Sequence, residues 1–468
     1  MNLHGPVRVG QTASVGNAKV MIAFDSWKEG AVASTQHEIP VVAPRSRNLK
    51  LEPVSSRLKG ELIHPNKTGT IANIEFSPDG TRILAGNYPG GVIALWDVAS
   101  GKRLTTLEAG YGYHGSKQYY AVSPDWRTVF AHREKRQSER FEQEGKRMVR
   151  WTFGGDVRAW NLEDGKLLRT YKRQPQSNVR SMHLSPDGKT FFTLDELPGI
   201  TEGRAKMAVS LWDVKTGTYR TMEGWQHGDF SPDGRSLTLV AQDERSYAQE
   251  MKRIDVSTGR KKWSLPIIGK YVHTTVSMFS RDGAMLFGVE LIYESARAYN
   301  NYRSRLKWWD AATGREIASF ESDKNDVFTS LCTSPDGQTL AALNWRSDTR
   351  KLFLYSIAEK RLLRTVLLCE KTGGLRPIAS GLTFHPSGNW LVVVTRSVPE
   401  KKTGDDLDPR DLPQPRILLI ETATGAIRET LVAPQSFSND ACFSPDGRTL
   451  ATDGHGRVLL WDMTKMPQ

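Results

Sequence analysis

The sequence predicts an all-β fold made of eight copies of one short unit, and two recurring elements carry this prediction. The first is an apolar residue followed by a tight turn, as in Phe76-Ser77-Pro78-Asp79-Gly80. Relatives of this turn occupy residues 122–126, 184–188, 230–234, 279–283, 333–337, 384–388 and 443–447. The second element is Trp-Asp or a relative of it, at residues 96–97, 160–161, 212–213, 254–255, 309–310, 355–356, 420–421 and 461–462. The two elements alternate strictly along the chain, so we predict eight equivalent units.

The residue types of both elements indicate strands joined by turns. In the first element proline presets φ at the second position of the turn, aspartate suits the third, and glycine accepts a positive φ at the fourth. Apolar side chains alternate before the second element in its best copies, as in residues 92–96, Val-Ile-Ala-Leu-Trp. This is strand periodicity and not helix periodicity.

The alternation resembles the WD40-repeat family, in a degenerate form of bacterial type, from about Ser55 to the end. The resemblance implies an eight-bladed β-propeller of four-stranded antiparallel blades around a central channel. Each unit then has strand a, the Ser-Pro-Asp-Gly turn, strands b and c, a Thr-Gly turn and strand d. The family's buried histidine before strand a is mostly missing, and His64, His114 and His273 lie only roughly in its place. We therefore expect blades held by apolar packing.

The two ends of the chain suggest how the ring closes. The eighth unit ends after strand c, while residues 57–64 form a strand pattern before the first strand a. We expect this segment to complete the last blade, which places the propeller at residues 53–468. Closing the ring in this way removes exposed sheet edges.

The first fifty-two residues form a separate segment in this interpretation. Strand patterns at residues 18–24 and 35–42 flank a turn at 28–30, and a polar linker follows at 44–48. The pair is too small for a core of its own. It resembles the closing strands of a β-sandwich domain that precedes propellers in some bacterial WD40 proteins, so we expect a short N-terminal β-hairpin segment.

Bulk properties exclude some classes of protein. The chain shows neither a signal peptide nor an apolar run of membrane-spanning length, so a cytoplasmic location is expected. Its three cysteines are too few and too irregular for a disulfide framework, which favours buried thiols. The net charge of +12 favours polyanions in general. The charge does not gather into one run, however, so a nucleic-acid partner is disfavoured.

Long insertions mark one face of the predicted ring. They lie near residues 131–150, 290–307 and 395–416, all in b–c hairpins, and b–c hairpins share a face with the d–a connections. The first insertion is basic; a short polar helix broken near Gly145 is one interpretation of it, and a solvated charged hairpin is favoured over a partner-docking arm. The second mixes tyrosine with arginine, which are enriched at interface hot spots. The candidate partner-binding residues are Tyr111, Tyr113, Arg133, Arg136, Arg140, Arg147, Tyr293, Tyr299, Tyr302, Arg303 and Arg305.

Motifs for catalysis are missing from the sequence. It contains no GxSxG elbow, HExxH pair or P-loop, and turn chemistry accounts for the recurring aspartates. We therefore expect no catalytic residues, no cofactor and no metal. Residues 254–263 resemble the tryptophan-docking repeat of quinoprotein dehydrogenases, but in one unit of eight.

The predicted function is a non-catalytic, monomeric scaffold that binds other proteins or peptides through the insertion-bearing face. Two alternatives stay open. One is a propeller enzyme of quinoprotein type that uses the channel mouth, and the other is a propeller that binds polyanions.

Overall fold

The computed structural model describes seventeen segments of the chain. They are residues 52–67, 70–88, 91–109, 120–132, 135–143, 146–173, 178–201, 204–242, 249–267, 272–293, 302–324, 326–345, 348–372, 375–399, 413–434, 440–454 and 456–467. The predicted N-terminal hairpin lies outside the described residues. Within them every regular element is a β-strand, and eight four-stranded antiparallel sheets form the blades of a propeller.

The first four blades follow in chain order. Blade 1 consists of β2 (Thr70–Phe76), β3 (Arg82–Tyr88), β4 (Val92–Asp97) and β5 (Arg103–Glu108). Blade 2 consists of β6 (Tyr120–Val122), β7 (Thr128–His132), β10 (Val157–Asn161) and β11 (Leu167–Tyr171), with a separate ribbon of β8 (Lys135–Gln143) and β9 (Lys146–Gly154). Blade 3 consists of β12 (Asn178–Leu184), β13 (Thr190–Thr201), β14 (Arg204–Asp213) and β15 (Tyr219–Glu223). Blade 4 consists of β16 (Trp225–Phe230), β17 (Ser236–Gln242), β18 (Gln249–Asp255) and β19 (Lys261–Ile267).

The other four blades complete the ring. Blade 5 consists of β20 (Val272–Phe279), β21 (Met285–Tyr293), β22 (Tyr302–Asp310) and β23 (Glu316–Glu321). Blade 6 consists of β24 (Val327–Thr333), β25 (Thr339–Trp345), β26 (Thr349–Ser356) and β27 (Arg361–Glu370). Blade 7 consists of β28 (Leu375–Phe384), β29 (Trp390–Pro399), β30 (Arg416–Glu421) and β31 (Ile427–Val432). Blade 8 consists of β32 (Ala441–Phe443), β33 (Thr449–Gly454), β34 (Arg457–Asp462) and β1 (Leu58–Ile63).

The Ser-Pro-Asp-Gly turns form because each one satisfies its own polar groups. In blade 1 the Ser77 hydroxyl donates to the Asp79 carboxylate at 2.5 Å and accepts the Arg82 amide at 2.9 Å. Gly80 has φ +71°, a backbone conformation that glycine tolerates best. The serine–aspartate bond recurs at Ser123, Ser185, Ser231, Ser280, Ser334 and Ser444.

The core lies between neighbouring blades. Trp96, Trp212, Trp308 and Trp461 are fully buried, as expected for a tryptophan that packs one sheet on the next. One cluster joins Leu62 of blade 8 to Phe76 and Trp96 of blade 1, so apolar contacts continue across the point where the ring closes.

Ring closure depends on strand β1. It pairs antiparallel with β34 from Leu58 opposite Trp461 to Ile63 opposite Arg457, with a register shift between Leu58 and Gly60. Just before this strand, Arg57 donates to the carbonyl oxygens of Asp462 and Lys465 at 3.1 and 2.6 Å. The fourth strand of the last blade therefore comes from the opposite end of the described chain.

A second contact between blades recurs at one position of strand d. That position lies opposite the residue that precedes the Trp-Asp element or its relative, and its side chain donates to a carbonyl in the c–d turn of the next blade. Arg169 donates to Val214 and Thr216 at 3.2 and 2.7 Å. The other four members are Thr105 to Glu163, Arg220 to Val256, Trp263 to Ala311 and Arg364 to Ala423. Trp263, from the quinoprotein-like segment, thus makes one of these five strand-d contacts.

The blades are not held by apolar packing alone, which corrects the expectation from the missing histidines. His64 is fully buried, with its ring centroid 5.9 Å from that of Trp96. In blade 6 the buried Asn344 side chain donates to Asp326 at 2.8 Å and accepts the Lys351 amide at 2.6 Å. A buried polar group without such partners would cost free energy, so these bonds select particular strand registers.

Candidate interaction face

The blade-two insertion forms a β-ribbon, a hairpin and not the short helix that was one interpretation of it. Strands β8 and β9 pair with each other from Lys135 opposite Gly154 to Gln143 opposite Lys146 and join no blade sheet. The ribbon continues the b–c hairpin of blade 2 and so extends from the insertion-bearing face.

The register of the ribbon groups three of the candidate residues. Arg136 lies opposite Phe153, Arg140 opposite Val149, and Arg147 opposite Glu142. Residues directly opposite one another share a face of an antiparallel pair, and so do residues two positions apart. Arg136, Arg140 and Arg147 therefore occupy one face of the ribbon, together with positions Trp151 and Phe153.

The blade-three hairpin is a second extension that sequence reasoning missed. Strands β13 and β14 remain paired beyond the blade, out to Thr201 opposite Arg204. The signal was present in the sequence, because Gly199 and Gly203 interrupt a strand pattern between the third turn and Trp212. Blades 2 and 3 thus carry neighbouring hairpins on one face.

A buried ion pair lies at the base of these two hairpins. Arg173, from the d–a connection of blade 2, contacts Asp195 of strand β13 at 2.6 Å, and each side chain is 3% exposed. Ser210 donates to the other Asp195 oxygen at 2.5 Å and contacts Thr221 at 3.0 Å. Burial raises the pKa of Asp195 although Arg173 opposes this, and burial lowers the pKa of Arg173. Two blades are therefore joined where the hairpins begin.

His132 occupies the end of strand β7, at the root of the ribbon. The ring is buried, and neither of its nitrogens has a hydrogen-bond partner among the described residues. Burial, assisted by the charge of Arg173, lowers the pKa of His132 to about 3. The imidazole is neutral at physiological pH and contributes packing and not charge to this site.

The blade-five hairpin divides its candidates into buried and exposed residues. Tyr293 and Tyr302 are opposite one another at the ends of β21 and β22, but Tyr302 is 6% exposed, so it packs in the fold and does not present a surface. The side chains of Arg303 and Arg305 are 50% and 39% exposed. Arg303 Nη1 lies 3.9 Å from one carboxylate oxygen of Glu321, and Arg305 Nε lies 2.8 Å from the other. Of the candidates in this hairpin whose side chains the structure describes, these two arginines are the accessible ones.

Four candidates fall in segments beyond the described residues. They are Tyr111, Tyr113, Arg133 and Tyr299. Their contribution to an interface stays a prediction.

The opposite face differs in chemistry. On that face the turn aspartates accept hydrogen bonds from groups of their own turns. In the first turn the bond from the Ser77 hydroxyl is the main cause that lowers the pKa of Asp79 to about 2. Asp97 and Asp213 are held in the same way by Ser100 and Thr216 in the c–d turns. One carboxylate oxygen of each of these aspartates is therefore bonded within its own turn.

The channel wall carries two carboxyl groups with altered acidity. Glu75 of β2 and Asp229 of β16 each precede the apolar residue that ends the innermost strand of their blade. Burial among the surrounding strands raises the pKa of both carboxyl groups to about 7. The Glu75 side chain nevertheless has part of its surface exposed to the channel. Neither forms part of a metal-binding cluster of three or more ligand side chains within the described residues.

The three cysteines are free thiols. Burial raises the pKa of Cys369 to about 11 and shifts the pKa values of Cys332 and Cys442 further upward. A raised pKa disfavours the reactive thiolate. The thiols therefore act as packing groups.

Comparison with known proteins gives a match to one family model and matches to solved structures with the same fold. The family model described as WD domain, G-beta repeat, matches residues 427–462, from strand d of blade 7 to strand c of blade 8. The human apoptotic protease-activating factor 1 is 28% identical over 133 residues. That match spans 28% of this chain and 9% of the human protein.

Two solved structures share the propeller. The C-terminal WD40 domain of Sif2 aligns over 87% of this chain and 98% of its own, with a TM-score of 0.57 and 13% identity. The dihydro-heme d1 dehydrogenase NirN, in complex with DHE, aligns over 81% and 68%, with a TM-score of 0.53 and 13% identity. At such identity the likeness concerns the fold alone. In the part of the chain that the structure describes, no helix is both long and apolar enough to span a membrane.

Proposed function

The chain is an eight-bladed β-propeller of the WD40-repeat type, and from this premise we propose that it is a non-catalytic platform for other proteins or peptides. In this proposal the partner binds the face that carries the b–c hairpins. The propeller acts as a monomer in the cytoplasm, and its blades hold the hairpins in fixed positions.

The ribbon β8–β9 is the observation that carries the proposal. It is a pair of nine-residue strands that joins no blade sheet. An isolated two-stranded hairpin is marginally stable in water. A partner that covers one face of the ribbon would stabilise it, and the face with Arg136, Arg140 and Arg147 also carries the aromatic positions Trp151 and Phe153.

The base of the ribbon supports the same assignment. A binding loop is most effective when a rigid scaffold positions it. The Arg173–Asp195 pair joins blades 2 and 3 directly below the two hairpins. The exposed Arg303 and Arg305 add basic groups on the same face of the ring.

The test compares two triple variants with the same change in charge. The first, R136S/R140S/R147S, removes three arginines from one face of the ribbon. The control, K189S/R235S/R448S, removes three exposed cations that follow Ser-Pro-Asp-Gly turns on the opposite face. Partners are captured with the full chain, identified by mass spectrometry and quantified for each variant.

We expect the ribbon variant to lose its partners by at least about tenfold, since interface arginines are often hot spots, while the control retains them. Equal retention of every partner by both variants would contradict the proposal. Equal loss would indicate general electrostatic attraction in place of a defined face. Circular dichroism of both variants checks that the propeller is intact.

A further inference from the structure

The ribbon β8–β9 has two outer edges, one on each strand. In the part of the chain that the structure describes, the ribbon is a two-stranded sheet, and no third strand pairs with either edge. In an antiparallel pair every second residue of each strand points its N–H and C=O away from the other strand. These backbone groups form a template on which a further strand can pair.

The two edges differ in residue type. Strand β9 carries Val149, Trp151, Thr152 and Phe153, and β-branched and aromatic residues favour strands. Strand β8 consists mostly of glutamine, serine, glutamate and basic residues, and five of its nine residues are charged, against three of nine in β9. Charged side chains on an edge discourage the pairing of another strand. The edge of β9 is therefore better suited than the edge of β8 to accept a further strand.

The signs of the charges also differ between the two strands. The charged residues of β9 are Lys146, Arg147 and Arg150, and the strand has no carboxylate. Strand β8 has three basic residues and two glutamates, so its net charge is +1. An acidic strand beside β9 would therefore meet cations alone in that strand, whereas the β9 strand of a second copy would bring six cations together. This charge complementarity favours an acidic partner over a second copy of the chain.

The register of β9 divides its residues between two faces. Trp151 and Phe153 lie two positions apart and share one face, together with Arg147. Lys146 and Arg150 share the other face, so that face holds two of the three cations. A strand added to β9 continues both faces, because residues opposite one another in a sheet lie on the same side. Apolar residues of the added strand would then lie beside the aromatic positions, and its acidic residues beside the two cations.

We propose that the edge of β9 binds an extended segment of a partner protein in which acidic and apolar residues alternate, so that the segment becomes the third strand of the ribbon. This inference rests on the proposed function and specifies the partner. When a strand is added to a sheet edge, backbone hydrogen bonds give affinity and alternate side chains give specificity. A sheet of three strands with an apolar face is also more stable than an isolated hairpin.

The first measurement uses a fluorescein-labelled peptide of the same length as β9, in which glutamate alternates with valine. Its anisotropy is followed as the full chain is added at neutral pH in about 0.15 M NaCl, which screens charges that are far apart. We expect saturable binding. A lysine–valine peptide should not bind, and neither should the glutamate–valine peptide with N-methyl groups on two adjacent central residues. These methyl groups remove an N–H donor from each edge of the peptide and keep every side chain.

The variants are K146E and, as a matched control, K135E. The two lysines are on the same face of the ribbon, Lys146 in β9 opposite Gln143 and Lys135 in β8 opposite Gly154, so neither substitution opposes a charged residue. K146E places a carboxylate beside the acidic residues of the added strand, and we expect it to weaken peptide binding by about tenfold or more. Lys135 is one strand further from the peptide, so K135E should weaken binding by less than about threefold.

The proposal is wrong if the glutamate–valine peptide does not saturate, if its N-methylated form binds equally well, or if K146E and K135E weaken binding to the same extent. A dimer of the full chain in light scattering that the peptide dissociates would assign the edge to a second copy, and it would overturn the proposal as well.

The capture experiment with R136S/R140S/R147S separates this inference from the proposed function. If that variant loses its partners while the peptide fails to bind the unmodified chain, the strand addition is wrong and the platform stands. If that variant retains every partner, the platform is wrong whatever the peptide does.

Discussion

Arg57 and Glu429 are 372 residues apart in the sequence and form a bidentate ion pair, with Nε and Nη2 each 2.7 Å from a carboxylate oxygen. Glu429 belongs to strand d of blade 7, and the same guanidinium also donates to two carbonyls of blade 8. One side chain thus joins the start of the described chain to its last two blades.

Replacing Arg57 should loosen the closure. We expect R57M to lower the free energy of unfolding by about 1–3 kcal/mol, because it removes charge-assisted bonds from partly buried groups. The midpoint of urea denaturation measures the change. E429Q should cost less, because the carbonyl contacts of Arg57 survive. A double variant whose loss equals the sum of the two single losses would show that the pair is not coupled.

Removing the closing segment tests the same feature more severely. Deleting residues 55–64 leaves β34 with an exposed edge and removes Leu62, which is 2% exposed, from the core between blades 8 and 1. We expect the deleted chain to unfold or to oligomerise, as judged by size-exclusion chromatography with light scattering. The milder L62A should cost about 2–5 kcal/mol. A stable, monomeric deletion variant would show that the ring does not need this strand.

Alanine substitutions at two glycines can isolate the contribution of the recurring strand-d contact to stability. Gly259 and Gly337 have φ of +71° and +70°, so alanine pays a similar backbone cost at both, about 1 kcal/mol. A Cβ at 259 would lie 2.8 Å from Arg220 Nη1, but a Cβ at 337 would meet nothing within 4 Å. We expect G259A to be the more destabilising, because Arg220 must give up its bond to the Val256 carbonyl. Adding R220A should remove that difference, and thermal unfolding measures it.

The buried and exposed ion pairs of the candidate face should respond differently. R173M leaves the carboxylate of Asp195 buried without its partner, which should cost about 3–5 kcal/mol. R305Q breaks a pair that water already screens and should cost less than about 1 kcal/mol. Equal losses in urea denaturation would mean that the Arg173–Asp195 pair does not join the blades as we describe. R173M should also weaken partner capture, because the hairpin bases separate.

Stability should fall with rising pH through the channel carboxyl groups. The folded pKa of Glu75 and of Asp229 is about 7, above the ordinary values of 4.5 and 3.8. Between about pH 4 and pH 7 the folded protein therefore keeps protons on these groups that the unfolded chain has already released. These retained protons contribute to the free energy of unfolding, and the contribution is lost as the pH rises through 7. Relative to the unmodified chain, E75Q should be more stable at pH 8 than at pH 5. The control E108Q, at an exposed glutamate, should show no such difference.

The fold could be predicted from local chemistry because the repeat depends on short-range bonds. Ser77, Asp79 and Gly80 satisfy one another within a few residues, so their pattern is visible in the sequence and recurs with the blade. The family match at residues 427–462 and the solved propellers confirm the WD40-type repeat and the propeller fold.

The face was harder to predict, since its contacts join distant residues. Arg173 and Asp195 belong to different blades, and neither lies in a recognisable motif. The charges of the blade-two insertion left both a hairpin and a short helix open, because the register that places Arg136 opposite Phe153 depends on the pairing of two strands. Tyr302 was a candidate by residue type, but its burial depends on neighbouring strands.

The pairing of β1 with β34 also sets the order in which the protein can be completed. Leu58 leaves the ribosome about 400 residues before Trp461, its partner. At roughly 5–20 residues per second, that strand waits about 20–80 seconds for a place in a sheet. During this interval the nascent chain is an open arc whose first strand can be captured by the last blade of another copy. The yield of monomer should therefore fall when many copies are made close together, and slow dilution during refolding should favour the closed ring.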